Sequence, residues 1–181
     1  NVFDNNIKTM ATYCSQNKIN LRPHAKTHKS LDISQLQMEH GAVGVCCQKV
    51  SEAEIFVNGG IPDVLITNEI VGSKKIARLI NLASQARVAV CVDNYDNIRD
   101  LSAAADNSGT PLNVFVEVDV GGGRCGVQPG TATVDMVRSI NDTSHLHFQG
   151  LQVYHGKAQH ISEYRHRRDA INTSLEHVVN T

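Results

Sequence analysis

Short β-branched and aliphatic runs alternate along the chain with longer stretches whose apolar positions recur three or four residues apart. The runs predict strands over Leu21–Lys26, Ala42–Cys47, Asp63–Asn68, Arg87–Asp93, Leu112–Asp119 and His147–Tyr154. The longer stretches predict helices over Ser30–His40, Ser51–Asn58, Ser73–Gln85, Asn94–Asn107, Thr131–Asn141 and Ser162–Val179. Ser51, with an acid three positions on at Glu54, reads as a capping residue. Gly41, Gly59-Gly60 and Gly109 fall where helices should stop.

Strand–helix units repeated in this way imply a parallel sheet, because parallel neighbours need a crossover between them. A doubly wound sheet and a (β/α)8 barrel both satisfy that pattern. No GxGxxG follows the first strand, and polar residues close nearly every strand at its C-terminal end. An open sheet gathers its site at one switch point, whereas a barrel spreads it over all its strand ends. The pattern therefore predicts an α/β fold, a partial TIM-like (β/α)8 barrel of about six βα units over residues 1–181 with its last strands missing. The chain does not begin with Met and its last residues, His177–Thr181, form an unfinished helical pattern, so a fragment of a longer protein is expected.

Composition narrows the partners. A chain of 181 residues, 41% apolar and 19% charged, can bury a sizeable core. The 17 Lys and Arg against 18 Asp and Glu leave a net charge of -1, which gathers neither nucleic acid nor an anionic membrane. No apolar run approaches the roughly 20 residues that cross a bilayer. Cys14, Cys46, Cys47, Cys91 and Cys125 contain no CxxC pair, and three of them lie in apolar runs. Reduced core thiols and a cytoplasmic location are the expectation, in keeping with an N-terminal stretch that lacks a signal-peptide pattern.

The segment Leu21-Arg22-Pro23-His24-Ala25-Lys26 carries the most chemistry. On a strand, Leu21, Pro23 and Ala25 face the covering helices, while Arg22, His24 and Lys26 face the interior. Burial disfavours the ammonium form, and the like charge of Arg22 and His24 adds to that effect. Such a lysine is a nucleophile able to form a Schiff base, although a lysine snorkelling to water has the same pattern. Phe115, Glu117 and Asp119 share a face, and Gly121-Gly122-Gly123 then allow a turn that delivers Arg124 to the strand mouth. Gln152 and Tyr154 share a face of the last strand, with His155 and His160 on the loop beyond. The cluster His145, His147, His155, His160 and His166 has no H-E-x-x-H or paired Cys/His spacing, so no metal site is expected within this chain.

Arg22-Pro23-His24-Ala25-Lys26-Thr27-His28-Lys29 resembles the cofactor-lysine motif of the fold-type III pyridoxal-phosphate enzymes, in the group of D-threonine aldolase and D-serine dehydratase. Four further segments match that group in order: Gly44–Glu54, Asp63–Glu69, Glu117–Val127 and Gly150–His160. The resemblance implies an alanine racemase-like N-terminal barrel, incomplete here and without the C-terminal β-domain. It also implies Lys26 as the Schiff-base lysine and a catalytic residue, with His155 as a second one. Around the cofactor it places His24, Asn68, Arg124 and Tyr154; Asn68 and Gln48 can equally hold neighbouring strands. Arg124, in a D-x-G-x-x-R-x-G stretch like that of alanine racemase, is implied to bind a substrate carboxylate, with Gln152 and His160 beside the substrate. The forms Cys46-Cys47-Gln48-Lys49-Val50-Ser51-Glu52-Ala53-Glu54 and Tyr154-His155-Gly156-Lys157-Ala158-Gln159-His160 are most similar to members that cleave 3-hydroxy-D-aspartate. Retro-aldol cleavage of 3-hydroxy-D-aspartate or D-threonine is the implied reaction, with β-elimination by a dehydratase and a non-catalytic pyridoxal-phosphate carrier as rivals. A divalent metal (Mg, Mn or Zn) held by the missing domain and a homodimer at full length complete the implied picture.

Overall fold

A computed structural model describes residues 1–181. Seven α-helices and five strands follow one another as α1 (Val2–Gln16), α2 (Leu31–Glu39), β1 (Val45–Cys47), α3 (Val50–Asn58), β2 (Asp63–Glu69), α4 (Ser73–Ala83), β3 (Arg87–Val92), α5 (Tyr95–Ser108), β4 (Leu112–Val118), α6 (Thr131–Asn141), β5 (Leu146–Val153) and α7 (Tyr164–Val179). A 3-10 turn over Gly156–His160 links β5 to α7. All neighbouring strands are parallel and lie in the order β1-β2-β3-β4-β5. Each strand is added on the same side of the one before, with no reversal. That excludes the switch point of a doubly wound sheet and gives an arc of barrel.

The two faces of the sheet are packed very differently. Alternate strand residues such as Val64, Ile66, Val88, Val90, Val114 and Val116 join Leu79, Leu101 and Met136 of the helices in one core of 29 buried residues. Burying an aliphatic side chain of this size stabilises by about 1.5–3 kcal/mol, so this layer holds the fold together. The opposite, concave face carries only a small apolar cluster, Cys46, Leu65 and Ala89, against Phe115. Gly109 ends α5 in the left-handed conformation at φ 63, which a glycine adopts without steric cost.

Three expectations are corrected. Leu21–Lys26 is extended but is not a strand, so the sheet has five strands and not six. It touches β1 through the single bridge His24–Cys46 and through backbone bonds from Cys46 to Pro23 and from Ala25 to Cys46, and the residues before β1 through a bond from Val43 to Leu21. Pro23 has no N–H to extend that ladder. Secondly, the pattern omitted α1. Only Cys14 of this helix is buried, although Phe3, Ile7, Met10 and Cys14 carry a helical spacing and the Asn1 side chain caps the Asp4 N–H. Thirdly, Ser51 lies inside α3, whose N-cap is Lys49.

Candidate active site

The concave face rises from a charged floor to a polar mouth. At the N-terminal ends of the strands, Asp63 Oδ1 accepts from Arg22 Nε and Nη2 at 3.1 and 2.8 Å. Its Oδ2 accepts from Arg87 Nη1 at 3.2 Å, and Arg87 Nη2 donates onward to Gln149 Oε1 at 2.8 Å. Arg22 is therefore engaged by Asp63 and not arrayed beside Lys26, contrary to expectation. The apolar cluster around Leu65 separates this floor from the C-terminal ends.

On one side of the mouth stands Lys26. The expected alternation holds for its neighbour, since Ala25 is 1% exposed within the helix-side core. Lys26 itself is exposed rather than buried, because its segment lies at the edge of the sheet with β1 on one side alone. Its backbone N–H donates to His24 Nδ1 at 3.3 Å, and His24 Nε2 lies 2.9 Å from Thr67 Oγ1. Thr67 Oγ1 donates to the Cys47 carbonyl at 3.2 Å. Burial, followed by the Lys26 ammonium, pushes the His24 imidazole below its ordinary pKa and keeps it neutral.

The pairing of β2 with β3 slips here, Ile66 opposing Val90 but Glu69 opposing Cys91, and such irregularities re-aim side chains. Within the irregular stretch, Asn68 Nδ2 donates to the Gln48 carbonyl at 3.3 Å, so Asn68 ties β2 to the end of β1. Lys29, at φ 52, pairs with Glu52 at 3.3 Å and pins the loop after Lys26. Burial raises the Glu52 pKa, but the Gln48 N–H and the Lys29 ammonium outweigh it and hold the carboxyl below its ordinary value.

On the other side of the mouth, the chain leaving β4 turns back on itself. Asp119 Oδ1 accepts from the N–H groups of Gly123 and Gly121 at 2.9 and 3.0 Å, and these bonds hold its carboxyl below the usual range. Val127 then bonds Glu117 and Asp119 through its backbone, and the Gly126 N–H donates to Asp93 Oδ2 at 2.9 Å. Gly126 has φ 102, and a Cβ there would lie 2.6 Å from the Asp119 nitrogen, so the hairpin closes only with glycine.

This hairpin delivers Arg124 to the mouth, as the glycines predicted. Its Nη2 lies 3.3 Å from Oε1 of Glu117, which is 3% exposed, and its guanidinium lies 5.3 Å from the centroid of the Tyr154 ring. The Cys125 thiol donates to the same Glu117 oxygen at 3.0 Å, and burial together with that bond pushes its pKa up to about 12. Gln152 opposes Glu117 in register and so shares its face. A cavity of about 260 Å³ opens here, lined by Glu117, Arg124, Tyr154, Lys157 and His160 among others.

His155 is not part of this cavity. Its ring lies beside Gly121 and lines a separate cleft with Ser174 and His177 of α7. Arg124, Tyr154 and His160 are thus brought together, Lys26 and His24 form a second group, and no hydrogen bond or ion pair joins the two.

Glu69 also faces this mouth and was not anticipated. Burial, then Glu117 and Asp93, raise its pKa, and its Oε1 is buried without a hydrogen-bond partner. Ligand atoms of Glu69, Glu117 and Cys125 lie within 4.8 Å of one another, a set that comes from β2, β4 and the hairpin and has no signature in sequence spacing. The Arg124 guanidinium already supplies the positive charge beside Glu117, and the Cys125 proton is committed to the same oxygen. Glu117 and Cys125 are thus engaged with each other and with Arg124, and only Glu69 keeps an open acceptor, which does not make a ligand shell. Thr67 and Lys157 are further residues that sequence reasoning passed over. Thr67 is hidden by its distance in sequence from His24, whereas Lys157 lies within the Tyr154–His160 segment beside its histidines.

Comparison with known proteins agrees with this fold. The family described as "Alanine racemase, N-terminal domain" matches residues 1–180. The chain is 45% identical over 178 residues to a 3-hydroxy-D-aspartate aldolase of Paracoccus denitrificans, covering 97% of this chain and 46% of that protein. It is 27% identical over 140 residues to a D-threo-3-hydroxyaspartate dehydratase of Delftia sp., covering 77% of this chain and 36% of that one. The crystal structure of a D-threonine aldolase from Filomicrobium marinum superposes with a TM-score of 0.98 at 45% identity, covering 99% of this chain and 48% of the other. The chain spans about half the length of the curated relatives it matches.

Proposed function

The chain belongs to the alanine racemase N-terminal domain family, and on that premise we propose that it is the lysine-bearing barrel portion of a pyridoxal-phosphate lyase. The substrate class is β-hydroxy-D-amino acids, foremost 3-hydroxy-D-aspartate, cleaved between Cα and Cβ. The observation that carries this reading is the placement of Lys26. Its amine is free at the C-terminal mouth of the barrel arc while its backbone is held by a neutral imidazole.

The residues present fit the cofactor. Lys26 would hold it covalently, with His24, Tyr154 and Arg124 around it, and the orphaned Glu69 Oε1 is a buried acceptor waiting in the same mouth. When bound, the cofactor supplies an electron sink for the pair released as the substrate bond breaks. The protein supplies the rest. Lys26 Nζ, when not bonded to the cofactor, would accept and return a proton at the open mouth. Arg124 is oriented by Glu117 and by the Tyr154 ring, and its remaining N–H groups offer a planar fork to a substrate carboxylate. Lys157 and His160 add cationic and hydrogen-bonding groups to that cavity, which favours a substrate with a second carboxylate.

Greater similarity to the aldolase than to the dehydratase supports carbon–carbon cleavage over β-elimination. Glu69, Glu117 and Cys125 do not fit a divalent metal for the reasons given above, so a metal for the β-hydroxyl is assigned to residues outside 1–181. Five free cysteines fit a reducing, cytoplasmic setting, and a homodimer at full length belongs to the same reading. The experiment is a product assay on the full-length enzyme with 3-hydroxy-D-aspartate. Glycine and glyoxylate in equal amounts are expected, whereas oxaloacetate and ammonia would assign elimination instead.

A further inference from the structure

Lys26 stands where the sheet stops holding its segment. The last backbone bond from the segment to β1 is made by the Ala25 N–H, and the next fixed point is the turn in which Lys29 N–H returns to the Ala25 carbonyl at 2.8 Å. Between these two, the Lys26 backbone is bonded only through its N–H to the His24 ring. A backbone N–H can only donate, so Nδ1 of His24 must be the bare, accepting nitrogen, and the proton of the neutral ring sits on Nε2. Nε2–H then donates to Thr67 Oγ1 at 2.9 Å, and the Thr67 hydroxyl spends its own proton on the Cys47 carbonyl at 3.2 Å. Every donor in this chain meets an acceptor in one direction only. Reversing the tautomer would set two N–H groups against each other at Lys26.

We propose that Thr67 is a positioning residue for the cofactor lysine, acting through His24. It fixes the Nε2–H tautomer and so the backbone direction from which the Lys26 side chain departs. The proposal rests on the reading of Lys26 given above and deepens it. Thr67 makes no hydrogen bond to the lysine amine and does not line the cavity around Arg124, so its effect falls on loading of the cofactor and not on recognition of the amino acid.

The test uses the full-length enzyme with pyridoxal phosphate, comparing Thr67→Val, which keeps the shape and loses both bonds, with Thr67→Ser, which keeps both. The cofactor concentration for half-loading should rise about five- to tenfold in T67V, the loss expected for one or two buried hydrogen bonds. It should stay within about twofold in T67S, with KM for the amino acid unchanged in both at saturating cofactor. Long-range nitrogen–proton NMR of the wild-type protein without cofactor should show His24 protonated on Nε2 alone. Loading of T67V like the wild type, an equal loss in T67V and T67S, or a proton on Nδ1 would each overturn the proposal. Should T67V fail to fold, the wild-type tautomer decides the matter. A wild-type protein that forms no bond through Lys26 yet shows the Nε2–H ring would remove the functional reading while leaving the hydrogen-bonded chain intact.

Discussion

The two sides of the mouth are held in different ways. Arg124 rides on a hairpin closed by Gly123, Gly121, Gly126 and Val127 bonds, with its guanidinium fixed between Glu117 and Tyr154. Lys26 rides on an extended segment that pairs with β1 at one bridge and depends on the His24 ring beyond it. The difference suits the roles proposed for each. A group that orients a carboxylate gains from rigidity, because disorder removed in advance is not lost on binding. A lysine that must bond to a cofactor, let go and bond again needs a fixed root and a free end.

The largest effect should come from breaking the lysine side at its end. Lys26→Ala should lower turnover by about 10³-fold or more, since no other amine stands at that position. Turnover within tenfold of wild type would move the chemistry to another residue. On the opposite side, Arg124→Ala should lower kcat/KM by about 10- to 150-fold, the loss of a charge-assisted bond of about 1.5–3 kcal/mol. Arg124→Lys should recover only part of it, because an ammonium lacks the planar fork. Steady-state kinetics on both Arg124 variants, run at saturating cofactor, sharpens the contrast.

Gly126→Ala probes the hairpin itself. The added Cβ meets the Asp119 backbone at φ 102, so denaturant unfolding should show a loss of about 1–3 kcal/mol. Full retention of stability would mean that the hairpin can reclose with a side chain. The smallest effect concerns Asp119, whose carboxyl is held below its ordinary range by the Gly123 and Gly121 N–H groups. A depressed folded pKa contributes stability that is present above the unfolded value and is lost as pH falls through the folded one. Asp119→Asn should therefore be less stable than wild type at neutral pH. The two unfolding curves should converge as the medium is acidified below the usual carboxylate range, and a gap that stays constant with pH would argue against this origin.

How much of this the chain discloses in advance depends on whether the governing contact is local. The apolar runs in Arg87–Val92 and Leu112–Val118 mark buried strands because both neighbours and helices cover them. The glycines before Arg124 announce a turn for the same local reason. Leu21–Lys26 has a strand's alternation, yet Pro23 and its place at the sheet edge reduce it to one bridge. His24 is visible in its motif, but its partner Thr67 lies 43 residues away on a strand whose register slips at that point. Glu69 and Glu117 meet across β3 in the same manner, a result of sheet order that no spacing rule encodes. His155 follows Tyr154 directly, yet it lines the cleft beside Gly121 and α7 and not the cavity that receives its neighbour.

The central claim is that the Lys26 amine, and not one of the lysines near it, bonds to the cofactor. Borohydride reduction of the loaded full-length enzyme followed by peptide mapping tests it directly. The account predicts a single pyridoxyl adduct on the peptide containing Lys26, placed on Lys26 and not on Lys29 by fragmentation. An adduct on Lys29, Lys49 or Lys157, or no adduct on any peptide of this chain, would contradict it.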